Sequence, residues 1–473
     1  MFCVSENVTV SESPVKRPWF IYGVLLFGLF AIMLILGMIS TVLPYITQDL
    51  QINSAYTTYV SVLYTLGAAV LAPMMGRLGD LFGMKKILTL GLLLFACGCV
   101  CIAAAPSLPA VLAGRFLQGL GFACTTPTCM AFVGRFIPRE ESGKAYSIFG
   151  AVCTGGCIFG PTIAGFVCTN LGWRFVYYGG AVWVAIALVV AFAVMPNIPV
   201  VKQAHAKFDF VGSVCLFIAV GSFLTMFTMA SQMGWTSPVT LTLIALFVVF
   251  IIAFLAVERK KESPLVNLKL FTMRSFGVSA VMYMVLAGFS TIFMYMSSYY
   301  ITGGLGLNAT VTGFWTMFLF IVQTLSATVI SKLLARYNWR NVAFVPVIAL
   351  GLACLLFGFC GSTTPVWMIF GIAVILGFGG AFSTPLPTAS AMLDVPDEIK
   401  GAASGTFRLV GDMGGSIYVA IFIPLLSTIG AQDGVPNFGY SFGKVSLLLL
   451  IPVAIALVLA IVYPRHDPRA SGK

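Results

Sequence analysis

The sequence has very little charge. Only 9% of its 473 residues are charged, against 59% that are hydrophobic, whereas a water-soluble domain carries about 25% charged residues. This composition excludes an ordinary water-soluble fold. Apolar runs of about 20 residues recur from one end to the other, and a helix of that length crosses the ~30 Å hydrocarbon core of a bilayer. A lone strand would leave its backbone groups unpaired in lipid, so the sequence predicts an all-α polytopic membrane protein.

The residues that many enzymes need are also scarce. The two histidines, His205 and His466, lie far apart in predicted loops, so they support neither a histidine-based triad nor a zinc site. No G-x-x-x-x-G-K-[ST] run is present, so this chain does not hydrolyse ATP through a P-loop. The twelve cysteines lie mostly in apolar runs and form no CxxC pair, which favours packing roles. We expect no enzyme activity, no cofactor and no metal.

The apolar runs predict about fourteen transmembrane spans. We place them at residues 19–43, 56–75, 87–105, 110–132, 145–169, 174–195, 210–230, 238–257, 276–300, 311–335, 341–361, 366–391, 403–428 and 442–463.

The basic residues indicate the topology of these spans. They cluster in the two tails and in the loops after even-numbered spans, whereas the loops after odd-numbered spans contain only Arg174 and Lys444. The positive-inside rule therefore places both termini in the cytoplasm of a multi-pass protein of the cell membrane. The opening tail carries Glu6 and Glu12 before any apolar run, which indicates a retained cytoplasmic segment. The net charge of +11 is thus a topology signal, and we expect a bilayer, not nucleic acid, as partner.

The spans divide into two groups of six, with two further spans between them. Residues 19–195 and 276–463 hold six spans each, residues 196–275 form a central linker that holds two, and residues 1–18 and 464–473 are tails. The run SKLLARYNWRN occupies, in the later six, the place that GRLGDLFGMKK holds in the earlier six. Two parallel six-helix halves are a known transporter plan, with a small-molecule site between them.

The loop GRLGDLFGMKK is dense in both charge and glycine. Glycine supplies the positive φ of a tight connection and basic residues mark the cytoplasmic side, but neither requirement explains Asp80. The loop resembles the signature loop of the major facilitator superfamily. The matching positions are Gly76, Leu78, Asp80, Gly83, Lys85 and Lys86. The resemblance implies a major facilitator fold and a charge network, including Asp80, that latches the cytoplasmic side shut when the carrier faces out.

The fourth span contains a charge, in LAGRFLQGLG. An arginine inside an apolar run is costly, so Arg115 is a candidate functional residue. The segment resembles the fourth-span motif of the superfamily, with Gln118 and Gly119 in the expected places, and this resemblance implies a role in proton coupling. The alternative is a structural strut, in which the guanidinium binds backbone carbonyls or reaches the membrane surface.

The fifth span carries GGCIFGPTIAG. It resembles the motif typical of antiporters at Gly156, Gly160, Pro161 and Gly165, with Ala164 in place of one glycine. The resemblance implies export. Small residues also let helices approach closely, and a proline bends a span, so ordinary helix packing is the alternative interpretation.

The segments FDFVGS and SPLVNLKLF resemble the middle region of the fourteen-span drug:proton antiporters, and the resemblance covers nearly the whole chain. Members of that family usually carry an aspartate in the first span, where this chain has Ile35. Another acid, Asp412, lies within the thirteenth predicted span, one turn after Arg408. It is either a proton carrier, since buried carboxyls bind protons at physiological pH, or half of an i,i+4 ion pair.

These features predict a secondary transporter that works as a monomer by alternating access and exports amphipathic organic compounds, driven by the proton gradient. One alternative is a carrier of the same fold that imports or exchanges a specific metabolite, such as a vitamin, an organic anion or a bile acid. The missing aspartate at Ile35 favours this alternative. A second is an uncoupled facilitator, and a third is a membrane sensor or scaffold without transport.

Overall fold

The computed structural model describes residues 17–68, 83–196, 210–259, 268–395, 400–431 and 436–464. Within these ranges every regular element is helical. Twelve helices, or pairs of consecutive helices, are long and apolar enough to cross a membrane. The predicted all-α polytopic membrane fold is confirmed.

The first eight helices of the described ranges lie between residues 18 and 258. They are α1 (Pro18–Asp49), α2 (58–68), α3 (Met84–Ala103), α4 (Leu108–Phe136), α5 (Arg139–Asn170), α6 (Trp173–Val194), α7 (Phe210–Met233) and α8 (Pro238–Glu258). A short 3₁₀ turn, Ser54–Thr57, precedes α2. Helices α2 and α7 coincide with the second and seventh predicted spans, but α2 runs into residues outside the described ranges, so the count of fourteen stays a prediction.

The remaining helices begin after residue 273. They are α9 (Arg274–Tyr299), α10 (Ala309–Arg336), α11 (Trp339–Val342), α12 (Phe344–Gly358), α13 (Val366–Gly380), α14 (Pro385–Ala391), α15 (Lys400–Thr428), α16 (Phe438–Leu448) and α17 (Leu450–Val462). A π-helical turn, Tyr300–Gly304, extends α9.

Prolines lie at several of the differences between the predicted and the observed spans. Helix α1 continues through Pro44 to Asp49, whereas the prediction ended at residue 43; membrane helices tolerate an internal proline when neighbouring groups satisfy the freed backbone. Three other prolines, Pro346, Pro385 and Pro452, lie in the first turns of α12, α14 and α17. The missing N–H of proline is tolerated in a first turn, and each of these three predicted spans is divided into two consecutive helices.

The helices pack in two groups. In the N-terminal group, α1 to α6, the most extensive contacts join α3 to α4, α1 to α5 and α3 to α6. In the C-terminal group, α9 to α17, they join α9 to α15, α12 to α13 and α10 to α13. The domain boundaries at residues 195 and 276 stay predictions.

The pair α7 and α8 covers a junction between the groups. Val62 and Leu66 of α2 and Leu216 and Val220 of α7 form one apolar cluster, against which Met413 of α15 packs. Helix α8 lies outside α7, and only 11% of the residues in its apolar stretch are buried. The position of α7 therefore places it against both groups at once.

Glycine lets α3 and α4 approach until their backbones touch. A Cβ on Gly98 would lie 2.6 Å from the carbonyl oxygen of Gly114, and one on Gly121 would lie 2.5 Å from the carbonyl oxygen of Gly91. Lipid supplies no hydrophobic drive for helix association, so close van der Waals contact between small residues is a main source of helix packing in membranes. This contact fixes α4, the helix that carries Arg115.

We expect Gly121→Ala to destabilise the protein by about 1–3 kcal/mol, because the new methyl overpacks the α3–α4 contact. The measurement is the thermal unfolding midpoint in detergent. The matched control is Gly179→Ala in α6, where a Cβ would have no other atom within 4 Å, so that its midpoint stays level or rises. Equal midpoints for the two variants would contradict the close approach of α3 and α4.

Candidate functional site

The two groups meet where α5 crosses α10. A Cβ on Gly165 would lie 2.5 Å from the carbonyl oxygen of Ala309, and one on Gly313 would collide with the carbonyl oxygen of Pro161. The Thr162 hydroxyl donates to the carbonyl of Gly313 at 3.3 Å. The GGCIFGPTIAG motif thus contributes Pro161 and Gly165 to the contact between the groups.

The other half of that motif packs within the N-terminal group. A Cβ on Gly156 would lie 2.6 Å from Met33 Cβ, and one on Gly160 would collide with the carbonyl of Leu34 on α1. Helix α5 is therefore held between α1 on one face and α10 on another.

Hydrogen bonds join the groups beside this contact. The backbone N–H of Ala309 donates to the Tyr45 hydroxyl at 2.8 Å, and the Tyr299 hydroxyl donates to Thr57 at 2.9 Å. The hydroxyls of Thr65 and Ser416 share a hydrogen bond of 2.7 Å. We call the α5–α10 contact together with these bonds the seam. Most of its residues lie near the ends of α1, α5 and α9 and the starts of α2 and α10, so the seam closes this side of the protein.

Beyond the seam, two positions on α5 and α10 have few neighbours in the described residues. A Cβ on Gly150, in the first half of α5, would have no other atom within 4 Å. Leu325, in the second half of α10, is 67% exposed. Helices α5 and α10 therefore meet at the seam and leave these faces free beyond it.

The Arg408–Asp412 pair lies in the first half of α15. Arg408 Nε lies 3.0 Å from Asp412 Oδ1 and 3.1 Å from Oδ2, and the side chains are 64% and 43% exposed. The expected i,i+4 ion pair is present. One turn after Asp412, Ser416 bonds to Thr65 of α2, so this part of α15 lies against the N-terminal group. Its role in proton transfer stays a prediction.

Arg115 lies in the interior and binds neutral groups. It is 2% exposed; its Nε donates to the Val60 carbonyl at 3.2 Å and its Nη1 to Gln118 Oε1 at 2.7 Å. The Tyr64 ring covers the guanidinium at 4.7 Å. The ion pairs in the described part of the chain do not include Arg115. The bond to the Val60 carbonyl is the backbone contact expected of a structural strut. The proton-coupling role of Arg115 stays a prediction.

The signature loop is described only at its end. Gly76 and Asp80 lie outside the described residues. Gly83 has a φ of +94°, which confirms that glycine supplies a positive φ at this corner. Lys85 Nζ lies 4.9 Å above the ring of Phe192, and Lys86 is exposed.

Ile35 packs where the drug:proton antiporters usually have an acid. Its side chain is 1% exposed, and a Cβ on Gly180 of α6 would lie 2.7 Å from Ile35 Cδ1. This position therefore serves packing between α1 and α6.

A polar clamp, which the sequence did not predict, lies on the side that the seam closes. Arg174 forms an ion pair with Asp49 and donates to the carbonyl of Ala105 at 3.2 Å, while Trp173 Nε1 donates to Asp49 at 3.2 Å. The clamp joins α1, α6 and the α3–α4 connection, all within the N-terminal group. One signal was available, since Arg174 is one of two basic residues in the loops after odd-numbered spans.

A sequence model of the Major Facilitator Superfamily matches residues 25–214 and, again, residues 210–419. The chain belongs to the Major Facilitator Superfamily. The resemblance of the signature loop is thereby confirmed at the level of the superfamily, and the family match agrees with the packing of the helices in two groups.

Two relatives of this superfamily member have names that state a role. The chain is 27% identical to "Multidrug resistance protein Stp" of Mycobacterium tuberculosis (strain ATCC 25618 / H37Rv), over 85% of this chain and 74% of that one. It is 24% identical to "Riboflavin transporter RibZ" of Clostridioides difficile (strain 630), over 86% of this chain and 88% of that one.

Solved transporters share the fold of this superfamily member. A point mutant of the nucleoside transporter NupG matches with a TM-score of 0.65 at 17% identity, over 94% of this chain and 100% of that one. An auto-inhibited POT family peptide transporter matches with a TM-score of 0.68 at 14% identity, over 95% and 98%. These identities show the fold alone. Because the chain belongs to a superfamily of transporters and its relatives include a named riboflavin transporter, the prediction that it is not an enzyme is confirmed.

We expect Gly165→Ala to weaken the seam, because its methyl would have to enter the contact with Ala309. Overpacking of about 1–3 kcal/mol lowers the protection of residues 300–310 against hydrogen exchange by roughly tenfold. Gly155→Ala, on the same helix, is the control, since its Cβ would meet only Phe30 Cε2, at 3.5 Å. Equal protection in the two variants would show that this seam does not limit opening.

Proposed function

We propose that this superfamily member is a secondary active transporter that exports amphipathic organic compounds in exchange for protons. The observation that carries the proposal is the position of the Arg408–Asp412 pair. Both side chains are partly exposed, and Ser416, one turn after Asp412 on α15, bonds to Thr65 of α2, so the pair lies close to the junction of the two groups. Carriers of this type place the substrate and ion sites between two repeats that rock against each other. A titratable carboxyl at that place is suited to alternate exposure.

Asp412 is the proposed proton acceptor. A proton on the carboxylate weakens its hydrogen bond from Arg408, because the negative charge is lost, and it leaves the arginine charge unbalanced. Such a change of charge shifts the equilibrium between two conformations only as far as their affinities for the proton differ.

The positive-inside rule supports an orientation. The end of α10 and the starts of α3 and α15 lie on the side opposite to the seam, where Lys85, Lys86 and Arg336 mark the cytoplasm. In this orientation the seam closes the outer side, and we infer that a substrate is loaded from the cytoplasm. The proposed Asp80 latch belongs to the same side, and it would close when the carrier faces out.

The substrate class is supported by chemistry and by relatives. A site with one exposed ion pair between largely apolar helices suits a compound with one polar and one apolar part. A relative at 27% identity is named a multidrug resistance protein, which supports the same class. We also propose that the chain works as a monomer.

A metabolite carrier is the second candidate, and two observations favour it. Buried Ile35 occupies the place of the usual first-span acid, and a relative is named a riboflavin transporter. Charge separates the candidates. A cationic substrate competes with the proton for Asp412, which gives exchange. An anionic substrate needs Arg408 released from Asp412, so it binds together with the proton and is cotransported.

The test is transport in proteoliposomes of known orientation with an imposed pH gradient, for a panel of lipophilic cations, organic anions and vitamins. We expect the gradient to drive an amphipathic compound in the direction opposite to the protons. Asparagine cannot change its charge, so Asp412→Asn is expected to abolish transport driven by the pH gradient. Exchange of the compound across the membrane at equal pH is expected to remain. The control is Asp394→Asn, an exposed carboxyl after α14, which is expected to behave as the wild type.

Two outcomes would contradict the proposal. If compound and proton move in the same direction, the metabolite carrier is correct. If flux ignores the gradient in wild type, the protein is an uncoupled facilitator.

A further inference from the structure

A cavity lies at the connection between α10 and α12, on the side opposite to the seam. Its volume is about 420 Å³, and it is lined by Asn338, Arg340, Asn341 and Phe344. The main contacts of α11 and α12 are with α10, α13, α16 and α17, all in the C-terminal group. The cavity therefore lies at the periphery of this group, away from the junction that holds the candidate coupling site.

Local structure fixes the polar wall of the cavity. Asn338 caps α11, because its Oδ1 accepts from the backbone N–H of Arg340 at 3.0 Å. Trp339 Nε1 donates to the carbonyl of Leu334 at 2.9 Å, which ties α11 to the end of α10. The Arg340 side chain makes no hydrogen bond or ion pair with the described residues. Its guanidinium thus lines the cavity with its N–H donors available to a ligand.

The surroundings of the cavity are basic. Lys332 and Arg336, near the end of α10, are exposed, and together with Arg340 they place three positive charges in residues 332–340. The sequence contains no aspartate or glutamate between Glu262 and Asp394. Neither α10, α11 nor α12 can therefore supply a carboxylate that balances Arg340.

The matching loop of the first half has an acid of its own. When GRLGDLFGMKK is aligned with SKLLARYNWRN, Lys85 corresponds to Arg340 and Asp80 corresponds to Ala335. The second loop thus keeps the cation and lacks the carboxylate. Basic pockets at the cytoplasmic ends of membrane helices are suited to the headgroups of anionic lipids, which supply a negative charge from outside the chain.

An apolar stripe leads away from the cavity along α12. Arg340, Phe344 and Ile348 follow at i,i+4 spacing, and the joint between α11 and α12 keeps a helical backbone conformation, so they share one face. Ile348, Leu352 and Leu355 continue this face and are exposed. From Phe344 to Leu355 the helix rises by about 16 Å, at about 1.5 Å per residue. This is close to half of the ~30 Å hydrocarbon core, the depth that one acyl chain occupies.

We propose that the cavity binds the headgroup of an anionic phospholipid, with its phosphate on Arg340 and an acyl chain along the exposed stripe of α12. A guanidinium can donate two parallel hydrogen bonds to phosphate oxygens, and the Asn341 amide offers a further donor. A soluble phosphate compound would use the cavity and leave the stripe uncovered. The combination of an unpaired cation with an apolar face of one leaflet in depth favours the lipid.

This inference goes beyond the proposed function and does not rest on it. It requires only that the chain spans a bilayer, whichever compound is moved and whichever ion is coupled. A ligand that binds the folded protein raises its stability by mass action. The stability of the protein is therefore expected to depend on the charge of the surrounding lipid.

The test is binding of phosphatidylglycerol to the delipidated full-length protein in a non-ionic detergent. Native mass spectrometry measures binding, and the shift of the thermal unfolding midpoint measures its effect. We expect the wild type to bind phosphatidylglycerol more tightly than phosphatidylcholine. Arg340→Gln is expected to weaken binding of phosphatidylglycerol by roughly fivefold, which corresponds to about 1 kcal/mol for one basic residue at an anionic surface. Its binding of phosphatidylcholine is expected to stay level.

Two further variants complete the test. Arg259→Gln, at an exposed basic residue that follows α8, is the matched control, and it is expected to bind both lipids as the wild type does. Ile348→Asn changes an exposed position of the stripe and tests the acyl chain if Arg340→Gln does not fold. It is expected to weaken binding of phosphatidylglycerol while the midpoint without lipid stays level.

Glycerol phosphate, which has no acyl chain, separates the lipid from a free phosphate compound. We expect it to leave the midpoint unchanged at concentrations at which phosphatidylglycerol raises it. An equal rise with glycerol phosphate would assign the cavity to a soluble phosphate compound and overturn the lipid proposal. Equal affinity of the wild type for the two lipids would also overturn it, as would full binding of phosphatidylglycerol to Arg340→Gln.

Discussion

The contact of two helix backbones at Gly165 and Gly313 is the constraint on which the arrangement depends. Helices α5 and α10 belong to different groups, and at this point a single methyl has no room. Lipid does not push helices together, so a contact of this kind is held by van der Waals packing and a few hydrogen bonds.

The kinds of bond differ between and within the groups. The described bonds that cross the seam join neutral partners, such as Tyr299 to Thr57 and Thr65 to Ser416. The ionic clamp of Asp49 and Arg174 lies within the N-terminal group. A neutral hydrogen bond contributes about 0.5–1.5 kcal/mol, and charge-assisted bonds are stronger. The distribution therefore keeps the N-terminal group rigid and leaves the seam easy to break.

Local patterns in the sequence predicted the features that depend on local sequence. Helix positions follow from apolar length, the positive φ of Gly83 follows from a tight connection, and the Arg408–Asp412 bond follows from i,i+4 spacing on a helix. These need no knowledge of distant contacts.

Features that join distant segments were not predictable in the same way. The antiporter-like motif was recognised, but not that Gly156 faces α1 while Gly165 faces α10. The contact of the Tyr64 ring with Arg115 depends on how α2 and α4 pack, and no local pattern marks this tyrosine. The division of predicted spans at Pro385 and Pro452 had a local signal, but Pro44 carries the same signal and lies within a continuous helix.

The location of the candidate acid decides where a conformational signal must arise. In the fourteen-span antiporters that this chain resembles, the acid lies in the first span; here Ile35 fills that place and Asp412 lies on α15. Arg408 is one turn away on the same rigid helix, so its attraction for Asp412 changes little when the groups rock. Any difference in proton binding between conformations must therefore come from groups that approach from other helices. Helix α2 is one such element, because Thr65 bonds to Ser416, one turn after Asp412 on α15. A coupling site of this construction responds to the position of the opposite group through its neighbours on other helices, not through its own ion pair.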